Sequence, residues 1–349
     1  MTALVSQGLR VSVLTARRRR RLGGLALGLL LLAFGALVSL AVGSRAIPLA
    51  DTLEALVRHD PRNDLHLIVR ELRIPRTLVA ILAGGALGVA GAIMQAATRN
   101  PLAEPGLLGI NAGAALAVII GVSAFGLVSM AHYVLFATLG AGLAGVAVFL
   151  LGRAHETGTN PVRLVLAGAG LSVVLGSITG VIIVNAPPTV YDDFRHWASG
   201  SMEGRDFGTA TGLAICVALG LAVVLPLAGS LNAMALGRDL GQALGTNVRA
   251  TWLLACLAVM LLVGAATAGA GPIVFVGLVT PYVARMVVGP DYRWILPYGG
   301  LFAAILLLGA DILGRVLAAP AEVPAGIVAL LVGGPFFLIV VRRFRLRTL

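Results

Sequence analysis

The chain has 349 residues, of which 58% are apolar and 12% are charged, and its mean hydropathy is +0.98. A water-soluble globular protein is excluded, because such a composition would leave large apolar patches exposed to water. The formal charge of +11 comes from 26 arginines and 15 acids, and the chain has no lysine. A conventional P-loop ATPase is excluded too, since its lysine must reach the β and γ phosphates of ATP.

Apolar runs long enough to cross a bilayer recur along the whole chain. About 20 apolar residues are needed to span a hydrocarbon core of about 30 Å. Ten runs approach or reach this length, near residues 23–43, 77–97, 107–127, 131–151, 164–184, 209–229, 250–270, 272–288, 295–314 and 324–341. We therefore predict an all-α, polytopic membrane protein with about ten transmembrane helices.

The first apolar run follows the arginines Arg17 to Arg21. It is longer than the 7 to 15 apolar residues of a secretory signal, so we interpret it as a retained first span. With the N-terminus placed in the cytoplasm, the inner side carries 17 arginines and four acids, and the outer side nine arginines and eleven acids. This asymmetry is the one that the positive-inside rule predicts. It accounts for the basic excess without a nucleic-acid partner, and it predicts that both termini are cytoplasmic.

The second span begins with two arginines on either side of a proline, Arg73 and Arg76 around Pro75. Proline is tolerated in the first turn of a helix, which places both guanidinium groups at the outer end of this span. One interpretation is that they anchor the helix to lipid headgroups. Arg315, near the outer end of the ninth span, lies four residues after Asp311, a spacing that favours an ion pair within one helix.

The middle of the chain offers polar groups but no ion relay. The acids of the inner loops and late spans fall near span ends or in loops, and they include Glu104, Asp239 and Asp311. This placement argues against a proton- or sodium-driven mechanism, which usually needs carboxylates within the spans. The histidines lack metal-ligand spacing. Four polar residues of the fifth span are candidates for lining a pathway, although hydroxyls in such helices also bond to the preceding turn. These candidates are Ser172, Ser177, Thr179 and Asn185.

A polar segment at 230–248, between the sixth and seventh spans, is the longest candidate for a contact with a partner. Gly237, Gly241 and Gly245 divide it into two short helical pieces. An ordinary helix–turn–helix connection is the alternative. Elsewhere, pairs of glycines four residues apart predict close helix packing, at Gly84 and Gly88, Gly109 and Gly113, and Gly176 and Gly180.

Five motifs in this order resemble one family. They are R-I-P-R-T-L from Arg73, R-N-P-L-A-E-P-G-L-L-G-I-N-A-G up to Gly113, A-L-G-R-D-L-G-Q-A-L-G from Ala235, G-P-I-V-F-V-G-L-V-T-P-Y-V-A-R from Gly271 and E-V-P-A-G-I from Glu322. The chain resembles the permease subunits of ATP-binding-cassette importers for iron chelates and vitamin B12, the FecCD family. The resemblance implies a type II importer permease, with an Arg-rich cytoplasmic N-terminus at 1–22, a transmembrane permease domain at 23–341 and a basic cytoplasmic tail at 342–349.

The resemblance also implies roles for single residues. Arg73, Arg76 and Arg315 would dock an extracytoplasmic substrate-binding protein, and the four polar residues of the fifth span would line the pathway. Thr159 and Asn160 would lie at a cytoplasmic gate, and Trp197, Gly200 and Ser201 match a W-x-x-G-S pattern near the outer entrance, although Trp197 also suits an interface belt. The contact with the ATPase would be made by Leu236, Gly237, Arg238, Asp239, Gln242, Leu244 and Gly245.

The resemblance implies partners and a cargo as well. The chain would pair with a second, identical or different permease subunit and with two ABC ATPase subunits in the cytoplasmic (inner) membrane. It would bind no metal or cofactor itself, because ATP and Mg would belong to the ATPase subunits. The cargo would be a ferric siderophore, with a cobalamin or haem importer as the alternative. A secondary transporter or a non-transporting membrane scaffold is the alternative from another class.

Overall fold

The computed structural model describes residues 2–43, 46–58, 60–126, 130–152 and 161–345, and all regular structure in these ranges is helical. The helices are α1 (Thr2–Ala41), α2 (Leu49–Val57), α3 (Asp64–Leu67), α4 (Ile74–Thr98), α5 (Ile110–Phe125), α6 (Met130–Leu151), α7 (Pro161–Val184), α8 (Pro188–Ala198), α9 (Phe207–Val224), α10 (Ala228–Ala235), α11 (Arg238–Ala243), α12 (Val248–Ala270), α13 (Val276–Val288), α14 (Tyr292–Leu317) and α15 (Ala325–Arg345). A π-helical segment, Ile68–Arg73, leads directly into α4.

Each of the ten predicted apolar runs falls on a helix of the described chain. Seven helical segments are long and apolar enough to cross a membrane by themselves, and they include α1, α4, α6, α7, α9, α12 and α14. Three further apolar helices, α5, α13 and the apolar part of α15, are shorter. The protein is therefore a multi-pass membrane protein, and a count of ten complete spans stays a prediction.

The centre of the bundle is formed by α4, which packs against α12, α13 and α14. Small residues allow this close packing. A methyl group at Gly88 would overlap the backbone of Gly299 in α14, and one at Gly91 would overlap the backbone of Gly277 in α13. The prediction of close contacts is thus confirmed for Gly84 and Gly88, and also for Gly113, whose backbone lies against α6.

The pair in the fifth span behaves differently. Nothing lies within 4 Å of a methyl group placed at Gly176 or Gly180, so the predicted tight contact at this pair is wrong within the described chain. The reason is that α7 lies at the edge of the bundle, where only 6% of its most apolar window is buried.

The first helix runs along the periphery and contacts α14 through glycines. Gly24, Gly28 and Gly35 face Tyr298, Leu301 and Leu308. The helix continues without a break through the arginine run. Arg21 donates a hydrogen bond to the Val288 carbonyl oxygen (2.6 Å), which fixes the position of α1 against the end of α13.

One predicted span begins later than expected. The run 272–288 was predicted to be helical throughout, but α13 starts only at Val276. Gly271 and Pro272 end the preceding helix, and Phe275 adopts a left-handed conformation (φ 67°) that an L-residue rarely takes. The residues from Gly271 to Phe275 therefore separate α12 from α13 without helical structure.

Candidate functional site

Five charged side chains gather at the end of the bundle where α4 begins and α14 ends. We call Arg73, Arg76, Asp311, Arg315 and Glu322 the outer ion cluster, because the charge asymmetry of the sequence predicts that this end faces outward. Arg76 donates to Asp311 through Nε (3.0 Å) and Nη2 (2.9 Å), and through Nη1 to Glu322 (2.7 Å). Arg315 pairs with the other oxygen of Asp311 at 2.8 Å. Asp311 therefore bridges two guanidinium groups while its side chain is only 1% exposed.

The remaining donors of the cluster bind the C-terminal end of α1. Arg315 Nη1 donates to the carbonyl oxygens of Ser39 and Val42 at 2.9 and 3.0 Å. Arg73 Nη1 donates to the carbonyl oxygen of Leu40 at 2.7 Å. Arginine suits these positions because its planar group offers five donors in fixed directions. The cluster thus ties α1, α4 and α14 together.

The cluster tests the alternatives that the sequence left open for these arginines. Arg73 is buried and Arg76 is only 12% exposed and ion-paired, so anchoring to lipid headgroups is wrong for both. The predicted pair of Asp311 with Arg315 is confirmed. All three guanidinium groups hold partners inside the chain. Docking of a binding protein by these arginines stays a prediction, and it would have to act on a cluster that is already paired.

The segment 230–248 folds into the two helical pieces that its glycines predict, and we call it the coupling segment. Helix α10 ends at Ala235, Gly237 turns the chain with a φ of 110°, and α11 follows. Leu236, Leu240 and Leu244 recur every four residues and are 58 to 65% exposed. These exposed apolar side chains are available for a contact with a partner. Of the other predicted contact residues, Arg238, Asp239 and Gln242 lie on α11.

A polar contact that the sequence did not reveal attaches the coupling segment to the bundle. Asn232 of α10 donates from Nδ2 to Asp291 Oδ1 (2.8 Å), and its own oxygen accepts from the Tyr292 backbone N–H (2.8 Å). Asp291 also caps the start of α14. The signal in the sequence is an asparagine between the apolar residues Leu231 and Ala233 of α10.

The predicted pathway helix α7 has an open face, but its polar groups are bonded locally. Ser172, Ser177, Thr179 and Asn185 each donate to the carbonyl oxygen four residues earlier, at 2.8 Å. This is the alternative that the sequence left open. A groove beside α7 is lined mostly by apolar groups and by Arg163. The gate candidates Thr159 and Asn160 lie outside the described residues.

The segment after α7 packs against the rest of the protein and does not lie at the lipid interface. Trp197 is buried against Phe194 and Tyr133, so the interface alternative is wrong for this residue. Arg205 donates to the carbonyl oxygens of Gly269 (2.6 Å) and Ser201 (2.8 Å), and burial lowers its pKa to about 10. Asp206 caps α9, and the hydrogen bonds from the backbone N–H and hydroxyl of Thr209 lower the pKa of its carboxyl.

Glu104 makes a contact far from its place in the sequence. Its Oε1 accepts a hydrogen bond of 2.6 Å from the backbone N–H of Phe275, the left-handed residue just before α13. The sequence placed Glu104 in a loop after the second span. The structure folds that loop back into the bundle, where Pro105 lies against Gly277.

The fold and these sites define a class of protein. It is a multi-pass helical membrane protein in which irregular segments interrupt the central helices, a feature that recurs in membrane transporters. Residues 30–343 match the model of the FecCD transport family. The chain belongs to this family.

Relatives and a solved structure agree with this assignment. The chain is 43% identical to the ferric enterobactin transport system permease protein of Escherichia coli (strain K12), over 90% of this chain and 93% of that one. It is 39% identical to the iron(3+)-hydroxamate import system permease protein of Bacillus subtilis (strain 168), over 91% and 82%. A metal-chelate type ABC transporter in an inward-facing conformation superposes with a TM-score of 0.79 at 26% identity, covering 91% of this chain and 98% of that one.

Proposed function

We propose that the chain is the permease subunit of an ATP-driven importer that moves a ferric siderophore across the cytoplasmic membrane. The observation that carries the proposal is the coupling segment, which presents exposed leucines on a chain that has no P-loop lysine of its own. A transporter without a motor must receive work through a contact with a partner. The relatives are permeases named for ferric enterobactin, iron hydroxamate and ferric citrate, which supports an iron chelate as cargo.

The proposed assembly contains two permease subunits, two ATPase subunits and an extracytoplasmic binding protein. The largely unburied helix α7 supports a contact with a second permease, since a face with no partner in its own chain is free to pack against another. The ten-span topology with both termini in the cytoplasm belongs to the same proposal. ATP and Mg would be held by the ATPase subunits.

Co-purification tests the coupling segment directly. We expect the triple change of Leu236, Leu240 and Leu244 to serine to reduce recovery of the ATPase subunit with the tagged permease at least tenfold. Loss of three largely apolar contacts at an interface removes several kcal/mol of binding free energy. The matched control changes Leu27, Leu30 and Leu31 to serine, three exposed leucines of α1. Full recovery of the ATPase with the triple leucine variant of the coupling segment would contradict the proposal.

Uptake assays identify the cargo. Iron-starved cells with and without the chain are given radioiron as ferric enterobactin, ferric citrate and a ferric hydroxamate, alongside labelled haem and cobalamin. Loss of one ferric chelate supports the proposal. Haem is the second candidate, because the chain is 38% identical to the hemin transport system permease protein of Yersinia pestis, over 88% of this chain. Loss of none of these cargoes would overturn import.

A further inference from the structure

The loop after α4 reaches deep into the bundle. Gly277 of α13 lies against both Pro105 and the carbonyl oxygen of Leu87. Leu87 is eleven residues before the end of α4 at Thr98, so at a rise of 1.5 Å per residue Pro105 sits about 16 Å inward from that end. Non-helical backbone at this depth is stable only when it is buried in protein or lines a cavity. Here it is held by other segments of the chain.

Two irregular segments meet at this depth. One is the loop with Glu104, and the other is the Gly271 to Phe275 break. The Glu104 carboxylate accepts the Phe275 N–H, one of the first unpaired donors of α13, and lies at the positive end of that helix. The left-handed conformation of Phe275 is strained for a side chain other than glycine, and such strain persists only where surrounding contacts impose it.

Helix α13 leads from this contact to the coupling segment. It has 13 residues and is about 20 Å long. Beyond its far end, Asp291 caps α14 and Tyr292 is the first residue of α14, and these two residues form the two hydrogen bonds to Asn232 of α10. A displacement of α10 therefore acts on the start of α14, and through the short turn at Gly289 and Pro290 on the end of α13.

The other side of Glu104 leads to the pathway helix. The short 3₁₀ turn Pro105–Leu108 follows Glu104 and ends at Gly109. The backbone of Gly109 lies so close to α7 that a methyl group there would stand 3.3 Å from the Gly168 carbonyl oxygen and 3.4 Å from Ser172 Oγ. Glu104 is thus the residue that joins α13 on one side to a turn packed on α7 on the other.

We propose that Glu104 is a positioning residue for transport, whose hydrogen bond to Phe275 links the coupling segment, through Asn232 and α13, to the pathway helix α7. The inference rests on the proposed import function and adds the route by which motion of the coupling segment reaches the pathway. Contiguous polar contacts and rigid helices are the physical means of such coupling, and mutational coupling between the two ends is the evidence that establishes it.

The test measures ATP hydrolysed per iron imported by the complete transporter in proteoliposomes. The probes are radioiron as ferric enterobactin, ferric citrate and a ferric hydroxamate, with the binding protein present. We expect Glu104→Ala and Asn232→Ala each to raise the ratio about tenfold, the factor that corresponds to losing one hydrogen bond to a charged or buried group. The double variant should raise it no further than the larger single effect, because both changes interrupt one route.

Two variants separate this role from a general loss of stability. Glu104→Gln keeps an oxygen for the Phe275 N–H and should keep the ratio within about twofold of the unchanged chain. Asp206→Ala removes another carboxylate that accepts a backbone N–H at a helix start, so it should lower stability and leave the ratio unchanged. A ratio is measured per turnover, so it does not depend on how much of a variant folds.

The outcomes distinguish the two proposals. If the unchanged chain imports none of the probes in an ATP-dependent way, the proposed function fails and the inference falls with it. If it imports a probe and Glu104→Ala keeps the normal ratio, the inference alone is overturned. Independent, multiplicative effects of Glu104→Ala and Asn232→Ala would also overturn it, because the two residues would then act through separate routes.

Discussion

Replacing Asp311 by asparagine removes the charge that holds the outer ion cluster together. The carboxylate accepts three hydrogen bonds from two guanidinium groups, at 2.8 to 3.0 Å, and is almost completely buried. Arg76 and Arg315 would remain in place with only Glu322 to balance them. Breaking a buried ion pair by removing one partner costs about 3 to 5 kcal/mol, because the other charge stays buried without compensation.

The same cluster contains its own control, Glu322. This carboxylate is more exposed and accepts one hydrogen bond, from Arg76 at 2.7 Å. Glu322→Gln should cost about 1 kcal/mol. At about 2 °C for each kcal/mol in a chain of this size, the melting temperature should fall by about 6 to 10 °C for Asp311→Asn and about 2 °C for Glu322→Gln.

Thermal unfolding of the purified chain in detergent, followed by tryptophan fluorescence, measures both changes. A third variant, Asp311→Asn with Arg315→Met, leaves Arg76 paired with Glu322 alone. Its loss should be smaller than the sum of the Asp311→Asn and Arg315→Met losses by at least about 1 kcal/mol, since the two residues interact directly. Equal losses for Asp311→Asn and Glu322→Gln, or strict additivity in the double variant, would refute a cluster organised around Asp311.

Two further predictions concern a helix cap and the packing at the centre. The pKa of Asp206 is lowered in the folded chain, so its cap stabilises the protein fully above the ordinary aspartate pKa, and this stability is lost as pH falls through the lowered value. Asp206→Asn should therefore weaken the dependence of the melting temperature on pH between about pH 5 and pH 2. An unchanged pH dependence would contradict this expectation. Gly91→Ala should destabilise the protein by about 1 to 3 kcal/mol or prevent its accumulation in the membrane, because the added methyl group would overlap Gly277. The control Gly142→Ala should be tolerated, since nothing lies within 4 Å of a methyl group there. Equal expression and melting temperatures for the two variants would show that the helices separate easily.

Local patterns of the sequence were sufficient for the helices and for the coupling segment. The apolar runs place a helix at every predicted position, because length and hydropathy act within one segment. The two helical pieces around Gly237 follow from glycine alone, since the turn between them requires a positive φ.

Contacts between distant segments could not be predicted in this way. Arg76 meets Asp311 and Glu322 from 235 and 246 positions away, and Glu104 meets Phe275 from 171 positions away. An exposed arginine at a helix end and a buried one in an ion cluster have the same sequence signature. The break at Phe275 was hidden for a related reason: an apolar run looks continuous whether or not its backbone is helical.

Charged residues within the bundle mark the places where its segments are joined. A charge inside a membrane bundle is costly, so it persists only where partners are built around it. In the described chain, Asp311 is held by two arginines at one end of α4, and Glu104 is held by the start of α13, about halfway along α4. The cluster around Asp311 holds helices α1, α4 and α14 together. The contact of Glu104 joins the irregular segments between helices, where a permease can change shape without unfolding a span. Under the proposed mechanism, a rigid cluster at one end of α4 and a joint about halfway along it would let motion of the coupling segment reach α7 while the helices keep their packing.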